Sequence, residues 1–238
     1  MKHEFFDVHH ISFDVWLTLI RSNAIFKKER DLLFKEFFSL GQPIEDISTH
    51  FRQWDVRFTA INETTGGHLD AEEMLTIILS DLEHDLTKVK PSHLEEYFSQ
   101  HEKLFLRYHP ELIEPELPDY LKKLTDEGIS MSILSNTGFI KGKMLRKLLD
   151  HLKVGHHFAF QLYSDEIAFS KPSQQAFQAL YNGARSHRPV DKKNILHIGD
   201  NKNADGFGAE NAGMQNAIIN SNDVSLLHLN ISKYKIAR

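Results

Sequence analysis

An apolar run, Ile195-Leu196-His197-Ile198, stops at Gly199 and is followed at once by Asp200, with a second aspartate, Asp205, five positions later. A buried parallel strand delivers acids in this way to the carboxyl edge of a sheet, where α/β proteins hold ligands. Two acids at such an edge suit a hard divalent cation. An aspartate that N-caps the next helix is the competing reading, and it accounts for only one of the two. The arrangement recurs upstream. Ile11-Ser12-Phe13 leads into Asp14, with Thr18 four positions on, and Ile129-Ser130-Met131-Ser132-Ile133-Leu134 ends in Ser135 and Asn136. Between these, Lys171 precedes Pro172, whose ring suits the first turn of a helix carrying Ala176, Phe177, Leu180 and Tyr181. A lone lysine at a helix start is unfavourable toward the helix dipole, so a solvated Lys171 is the weaker reading.

The order of nucleophile, hydroxyl, lysine and acid pair resembles the four motifs of the haloacid dehalogenase-like hydrolase superfamily. The last motif, running from Gly199-Asp200 to Asp205 and on into Gly208-Ala209 and Ala212-Gly213-Met214, is the most specific of them. The resemblance implies Asp14 as nucleophile, Thr18 and Ser135 as phosphate-binding hydroxyls with Asn136 and Trp16 beside the substrate, and Lys171 as charge stabiliser. It also implies Mg2+ held by Asp14, Asp200, Asp205 and the Trp16 carbonyl. The chemistry requires such a set. A carboxylate attacking an anionic phosphate is repelled unless a cation, a lysine and neutral donors surround the developing charge.

One position departs from the phosphatase pattern. Phosphatases of the superfamily carry a second aspartate two residues after the nucleophile, as general acid and base; here that residue is Trp16. An indole N–H donates a hydrogen bond and has no proton to exchange near neutral pH. The haloacid dehalogenases have an aromatic residue there, since halide leaves without a proton, but they lack the first metal acid that Asp200 supplies. Three readings stay open: hydrolysis of a small phosphorylated molecule, carbon–halogen cleavage at a 2-haloacid, and a catalytically weak protein that binds a phosphorylated ligand or a partner. Packing of Trp16 under a cap is an equal alternative to stacking on substrate.

These residues must be positioned by an α/β core. The 238-residue chain is long enough for one large or two small domains. The expected fold is a Rossmann-like, doubly wound parallel sheet in the order 5-4-1-2-3, the order being implied by the resemblance, with further strands over 158–163 and 215–220 and helices over 117–127 and from about Asn203. Residues 23–108 read differently. Apolar residues recur there at helical spacing in four segments, among them Phe37 and Phe38, Phe51 with Trp54 and Phe58, Met74 with Ile78, and Tyr97 with Phe98. Breaks fall at Gly41-Gln42-Pro43, Thr64-Thr65-Gly66-Gly67 and Lys90-Pro91-Ser92, the last two expected to lead into helices with acidic first turns. The predicted organisation is core 1–21, a helical cap 22–112 and core 113–238. The resemblance implies that the cap closes over the site.

The formal charge of −5 argues against a nucleic-acid binder, which would carry a basic stripe. No cysteine is present, which excludes disulfides, thiolate metal sites and a cysteine nucleophile. No stretch approaches a membrane span, and residues 1–7 lack the apolar core of a signal peptide, so a cytoplasmic protein acting on a small molecule is expected. None of the fifteen histidines has ligand spacing. His68, with Asn62 and Glu63 at the turn of the cap, is the candidate for a replacement proton donor; ordinary turn chemistry is the alternative. The polar tail after Ser221 suggests a short strand or helix. The sequence carries no sign of the oligomeric state.

Overall fold

A computed structural model describes residues 4–5 and 7–232. Two strands flank the main sheet in sequence: β1 (Glu4–Phe5) pairs in parallel with β9 (Asn230–Ile231), which gives the tail its short strand. The remaining tail residues, 233–238, lie outside the described residues.

The central sheet is built from β2 (His10–Phe13), β5 (Ser130–Ser135), β6 (Phe160–Tyr163), β7 (Ile195–Gly199) and β8 (Gln215–Ile218). All neighbours are parallel, in the order β6-β5-β2-β7-β8. Counted along the core, that is 5-4-1-2-3 read from the opposite edge. The central strands are buried throughout, as continuous apolar runs covered on both faces require. Phe13 pairs with Ile133 on one side and Ile198 on the other, so the chain leaves all three strands at one level of the carboxyl edge. Helices α5 (Leu117–Asp126), α6 (Gly142–His151) and α8 (Gln174–His187) turn apolar stripes such as Leu117, Leu121 and Leu124 inward. A single turn α7 (Ser164–Ile167) and the short α9 (Gly208–Asn211) complete the core.

Four helices lie between a two-stranded ribbon, β3 (Ile20–Arg21) antiparallel to β4 (Glu111–Leu112). They are α1 (Ala24–Phe37), α2 (Ile44–Thr65), α3 (Ala71–Asp81) and α4 (Pro91–Arg107). Because entry and exit are paired, residues 22–110 leave and rejoin the core at one place. The helices bury a separate aromatic cluster in which the Phe34 ring meets Phe51 at 4.7 Å and Phe38 at 5.2 Å. Asp70 and Glu73 form a capping box that starts α3.

Several boundaries shift for identifiable reasons. The third-edge strand begins at Phe160 rather than 158, because Gly155–His157 coil into a 3-10 turn; the last strand ends at Ile218. The expected helix near Asn203 is a π-helical turn, Lys202–Phe207, continued by α9. Pro172 does not open its helix. Ser173 takes the cap, accepting from the Ala176 N–H, and α8 starts one residue later. Helix α4 has Pro91 in its first turn and no acid there. Among the described residues no helix is long and apolar enough to cross a membrane.

Candidate active site

The strand ends converge on Asp14, which is 7% exposed. Its Oδ1 accepts a 2.9 Å hydrogen bond from Ser135 Oγ and a 2.7 Å bond from the Lys171 ammonium. Among the described residues its Oδ2 accepts only a long 3.4 Å bond from Thr18 Oγ1. Thr18 reaches back because the chain coils tightly after the strand, with Leu17 at φ 56° and the Val15 carbonyl accepting from Leu19 and Ile20. Lys171 also donates at 2.6 Å to Asp205 Oδ1. This lysine is sealed from solvent, and its two carboxylate partners keep it protonated against the cost of burial.

Asp205 is held from behind. His197 Nε2 lies 3.0 Å from Asp205 Oδ1, and its Nδ1 lies 3.1 Å from Ser12 Oγ. Both contacts are satisfied when the ring is neutral with its proton on Nε2, the state that burial favours by lowering the imidazole pKa. The Asn201 backbone N–H donates to Asp205 Oδ2 at 2.9 Å. Burial opposes ionisation of Asp205, yet Lys171 and His197 together hold it below the usual carboxylate range. Gly199 is required at this point, since a Cβ there would sit 2.1 Å from the Asp205 Cγ.

The N-cap of the following turn is Asn201, whose Oδ1 accepts from the Asn203 and Ala204 N–H groups. Asp200 is therefore not a cap. Its carboxyl faces the same cavity and is pushed up to about 7, first by burial and then by the charges of Asp14 and Asp205. One oxygen from each of Asp14, Asp200 and Asp205 falls within 4.8 Å of the others. Burial likewise raises Asp14 despite the adjacent lysine.

The remaining expected site residues divide. Asn136 points its side chain at the Lys171 backbone, donating to its carbonyl at 2.9 Å and accepting from its N–H at 2.7 Å. Both polar ends are thus used to hold the lysine loop. Trp16 borders the cavity and packs partly against the core cluster. The cavity measures 390 Å³ and is walled by Asp14, Trp16, Lys171, Asp200 and residues of α1 to α4.

The turn after α2 separates the three residues singled out there. His68 is not among the residues that line the cavity; its Nδ1 lies 3.0 Å from Ser164 Oγ, which joins the turn to the core. Asn62 and Glu63 do border it. Glu63 Oε1 accepts from Asn201 Nδ2 at 2.8 Å and Oε2 from Asn203 Nδ2 at 2.9 Å. The Gly66 carbonyl accepts from the Ser170 N–H at 3.0 Å, beside Lys171. Phe139 from the loop after β5 enters the aromatic cluster of the four helices, 5.4 Å from Phe51. None of these contacts was singled out in the sequence. A polar His197 in an apolar strand was the one visible signal.

The sequence profile of the haloacid dehalogenase-like hydrolases matches residues 13–219. No curated protein sequence matches the chain. The fold is shared with a magnesium-bound structure of the HAD-hydrolase YfnB from Bacillus subtilis, at 18% identity and a TM-score of 0.66 over 92% of this chain and 90% of that one. It is shared also with an HAD phosphatase from Thermococcus onnurineus (17% identity, TM-score 0.60, 95% and 94% covered). The L-2-haloacid dehalogenase from Xanthobacter autotrophicus is similar at 18% identity and a TM-score of 0.59, over 89% of this chain and 77% of that one. With the profile spanning most of its length and every core strand in place, the chain belongs to the haloacid dehalogenase-like hydrolase family, and it is an enzyme of that family.

Proposed function

We propose that this protein hydrolyses a small phosphorylated molecule through an aspartyl phosphate on Asp14, with Mg2+ as cofactor. The observation that carries this reading is the charge balance around Asp14. Three carboxylates approach one another within 4.8 Å, and one buried ammonium, Lys171, stands against them. His197 is neutral and adds no cation. Such an excess of negative charge fits a divalent ion bound by Asp14 Oδ2 and Asp200, with the Trp16 carbonyl, while Asp205, bonded by Lys171, His197 and Asn201, supports them from behind. When bound, Mg2+ would offset the charge of the incoming phosphate.

The residues of the chain have distinct tasks in this reaction. Asp14 attacks phosphorus, and the ester oxygen leaves with the bonding pair. Lys171 and Ser135, already on Asp14 Oδ1, orient the nucleophile and offset charge as the phosphoryl group transfers. Thr18 and Ser135 supply hydroxyl donors near the phosphoryl oxygens. Residues 22–112 act as the cap, closing through the Glu63 and Gly66 contacts and excluding water. The Bacillus structure is described as revealing interdomain movement, which supports a cap of this kind.

Trp16 favours a second reading, carbon–halogen hydrolysis, because a halide needs no proton. Asp200 and the acidic excess weigh against it. The two are separated by measuring Mg2+-dependent hydrolysis of 4-nitrophenyl phosphate beside chloride release from 2-chloropropionate. Phosphate release alone is expected; chloride release without phosphate release would reverse the assignment.

A further inference from the structure

The wall of the cavity continues from Asp14 onto the four helices between β3 and β4, where Phe26, Phe58, Met74 and, from the core, Phe139 enclose it. His101 borders this end. It is 1% exposed, and among the described residues neither ring nitrogen has a hydrogen-bond partner. The ring is stacked on Tyr97 at 5.8 Å and lies 5.5 Å from Phe26. Burial, with Arg30 nearby, lowers its pKa to about 3, so it presents one N–H and one bare nitrogen. Buried polar groups are normally paired, and a phenylalanine would fill such an aromatic site without an unmet donor and acceptor.

The charges around this end give no anion site. Arg30 is bonded to Asp31 at 2.7 Å and 2.9 Å and lies on the Phe51 ring, while Lys27 shares the wall with Asp55 and Glu63. Beside the aromatic wall, Thr59 already donates to the Asp55 carbonyl and Asn62 already accepts from the Leu69 N–H, which leaves His101 as the neutral side chain with both nitrogens unpartnered, suited to a flat ring with one polar substituent. Trp16 independently restricts the same part of the substrate. Without an acid beside Asp14, the departing oxygen must be stable unprotonated.

Building on the phosphatase reading, we infer that this end of the cavity binds the leaving group, that the leaving group is an aryl or enol oxide bearing one polar substituent, and that His101 selects it by hydrogen bonding to that substituent. Asp14 forms the new bond to phosphorus, the P–O(aryl) bond breaks with its pair on the aryl oxygen, and the aryloxide takes its proton from water after release. A second water then cleaves the acyl phosphate to inorganic phosphate and Asp14. His101 is a specificity residue and transfers no proton.

The test compares kcat/KM for 4-carbamoylphenyl phosphate and 4-methylphenyl phosphate, so that leaving-group reactivity cancels between wild type and variant. In His101→Phe the ratio of the first to the second should fall about tenfold, the effect of one neutral hydrogen bond, with the change in KM rather than kcat. His101→Asn, which keeps a donor and an acceptor, should retain part of the preference. An unchanged ratio in a folded His101→Phe overturns the inference. Should that variant not fold, equal inhibition constants of the two corresponding arylphosphonates on wild type overturn it instead. Turnover of acetyl phosphate, which carries no aryl group, reports on Asp14 separately: no turnover of any of the three phosphates would remove the phosphatase reading and this inference with it.

Discussion

Glu63, near the end of α2, accepts a 2.8 Å hydrogen bond from Asn201, a residue 138 positions away in the chain that directly follows Asp200. The same Asn201 gives its backbone N–H to Asp205 and caps the turn that carries it. A side chain of α2 therefore holds the loop bearing both acids of the last motif. Glu63→Ala should loosen this contact. Faster amide exchange in 201–205 and a KM for 4-nitrophenyl phosphate raised several-fold are expected, with the overall stability changed by only about 1 kcal/mol. Unaltered exchange would show that the contact does not hold the loop.

Gly66 makes the second contact of the same turn, at φ +74° and with its carbonyl on the Ser170 N–H. An added Cβ would lie 2.8 Å from Ser173 Cβ, so Gly66→Ala combines backbone strain with a collision at the loop of Lys171. It should lower stability by about 1 to 3 kcal/mol and lower kcat/KM as well, while Mg2+ affinity stays near wild type. A parallel loss of Mg2+ binding would mean that the turn supports the whole site.

Lys171 is the residue whose removal should cost most. Lys171→Met leaves Asp14 and Asp205 buried with no cation between them, and truncating one partner of a buried ionic set typically costs about 3 to 5 kcal/mol. Urea unfolding of the metal-free protein should show a loss of that size, partly recovered by Mg2+. A loss below about 1 kcal/mol would indicate that water reaches the pair.

Much of this centre was legible because it depends on local pattern. Asp14, Ser135 and Asp200 follow apolar strands whose ends a parallel sheet must align, and the four helices between β3 and β4 follow from spacing alone. What stayed hidden depends on meetings between distant segments. Asn201 rather than Asp200 caps the turn because its side chain reaches two N–H groups, a choice of geometry between adjacent capping residues. Glu63 at the end of α2 and His68 just beyond it are five residues apart, and only the docking of that segment on Asn201 and Ser164 decides which of them faces the cavity. Pro172 likewise lost the helix start to a better cap one residue on.

The acid charge excess gives a pH dependence of unusual sign. In the metal-free fold the Asp200 carboxyl keeps its proton to about 7, against an ordinary value of 3.8 in the unfolded chain. Between those values the folded state binds more protons, so this group's contribution to stability is full below the lower value and is lost as pH rises through the upper one. Mg2+ requires the ionised form and should restore what was lost. The rise in Tm on adding Mg2+ is expected to be larger at pH 8 than at pH 6. Equal shifts would exclude Asp200 as a ligand.

Trp16 offers the sharpest test of mechanism, because the absent acid and base should affect the two chemical steps unequally. A nitrophenolate or acyl group departs without much protonation, so Asp14 can be phosphorylated by activated substrates while Lys171 offsets the charge; alkyl phosphates should react poorly. Hydrolysis of the aspartyl phosphate then lacks a base, and with His68 turned to Ser164 the intermediate should accumulate. Rapid quenching with labelled acetyl phosphate should trap it as an acid-stable acyl phosphate on Asp14. Trp16→Asp supplies the missing group and should raise steady turnover by up to about 10² to 10⁴-fold. The Trp16 ring is partly buried against the core, and removing a large aromatic can cost about 3 to 5 kcal/mol, so the folded state of the variant is checked first by thermal unfolding. A folded Trp16→Asp that gains nothing, beside a wild type that neither labels nor turns over, would leave carbon–halogen cleavage or ligand binding as the activity of this fold.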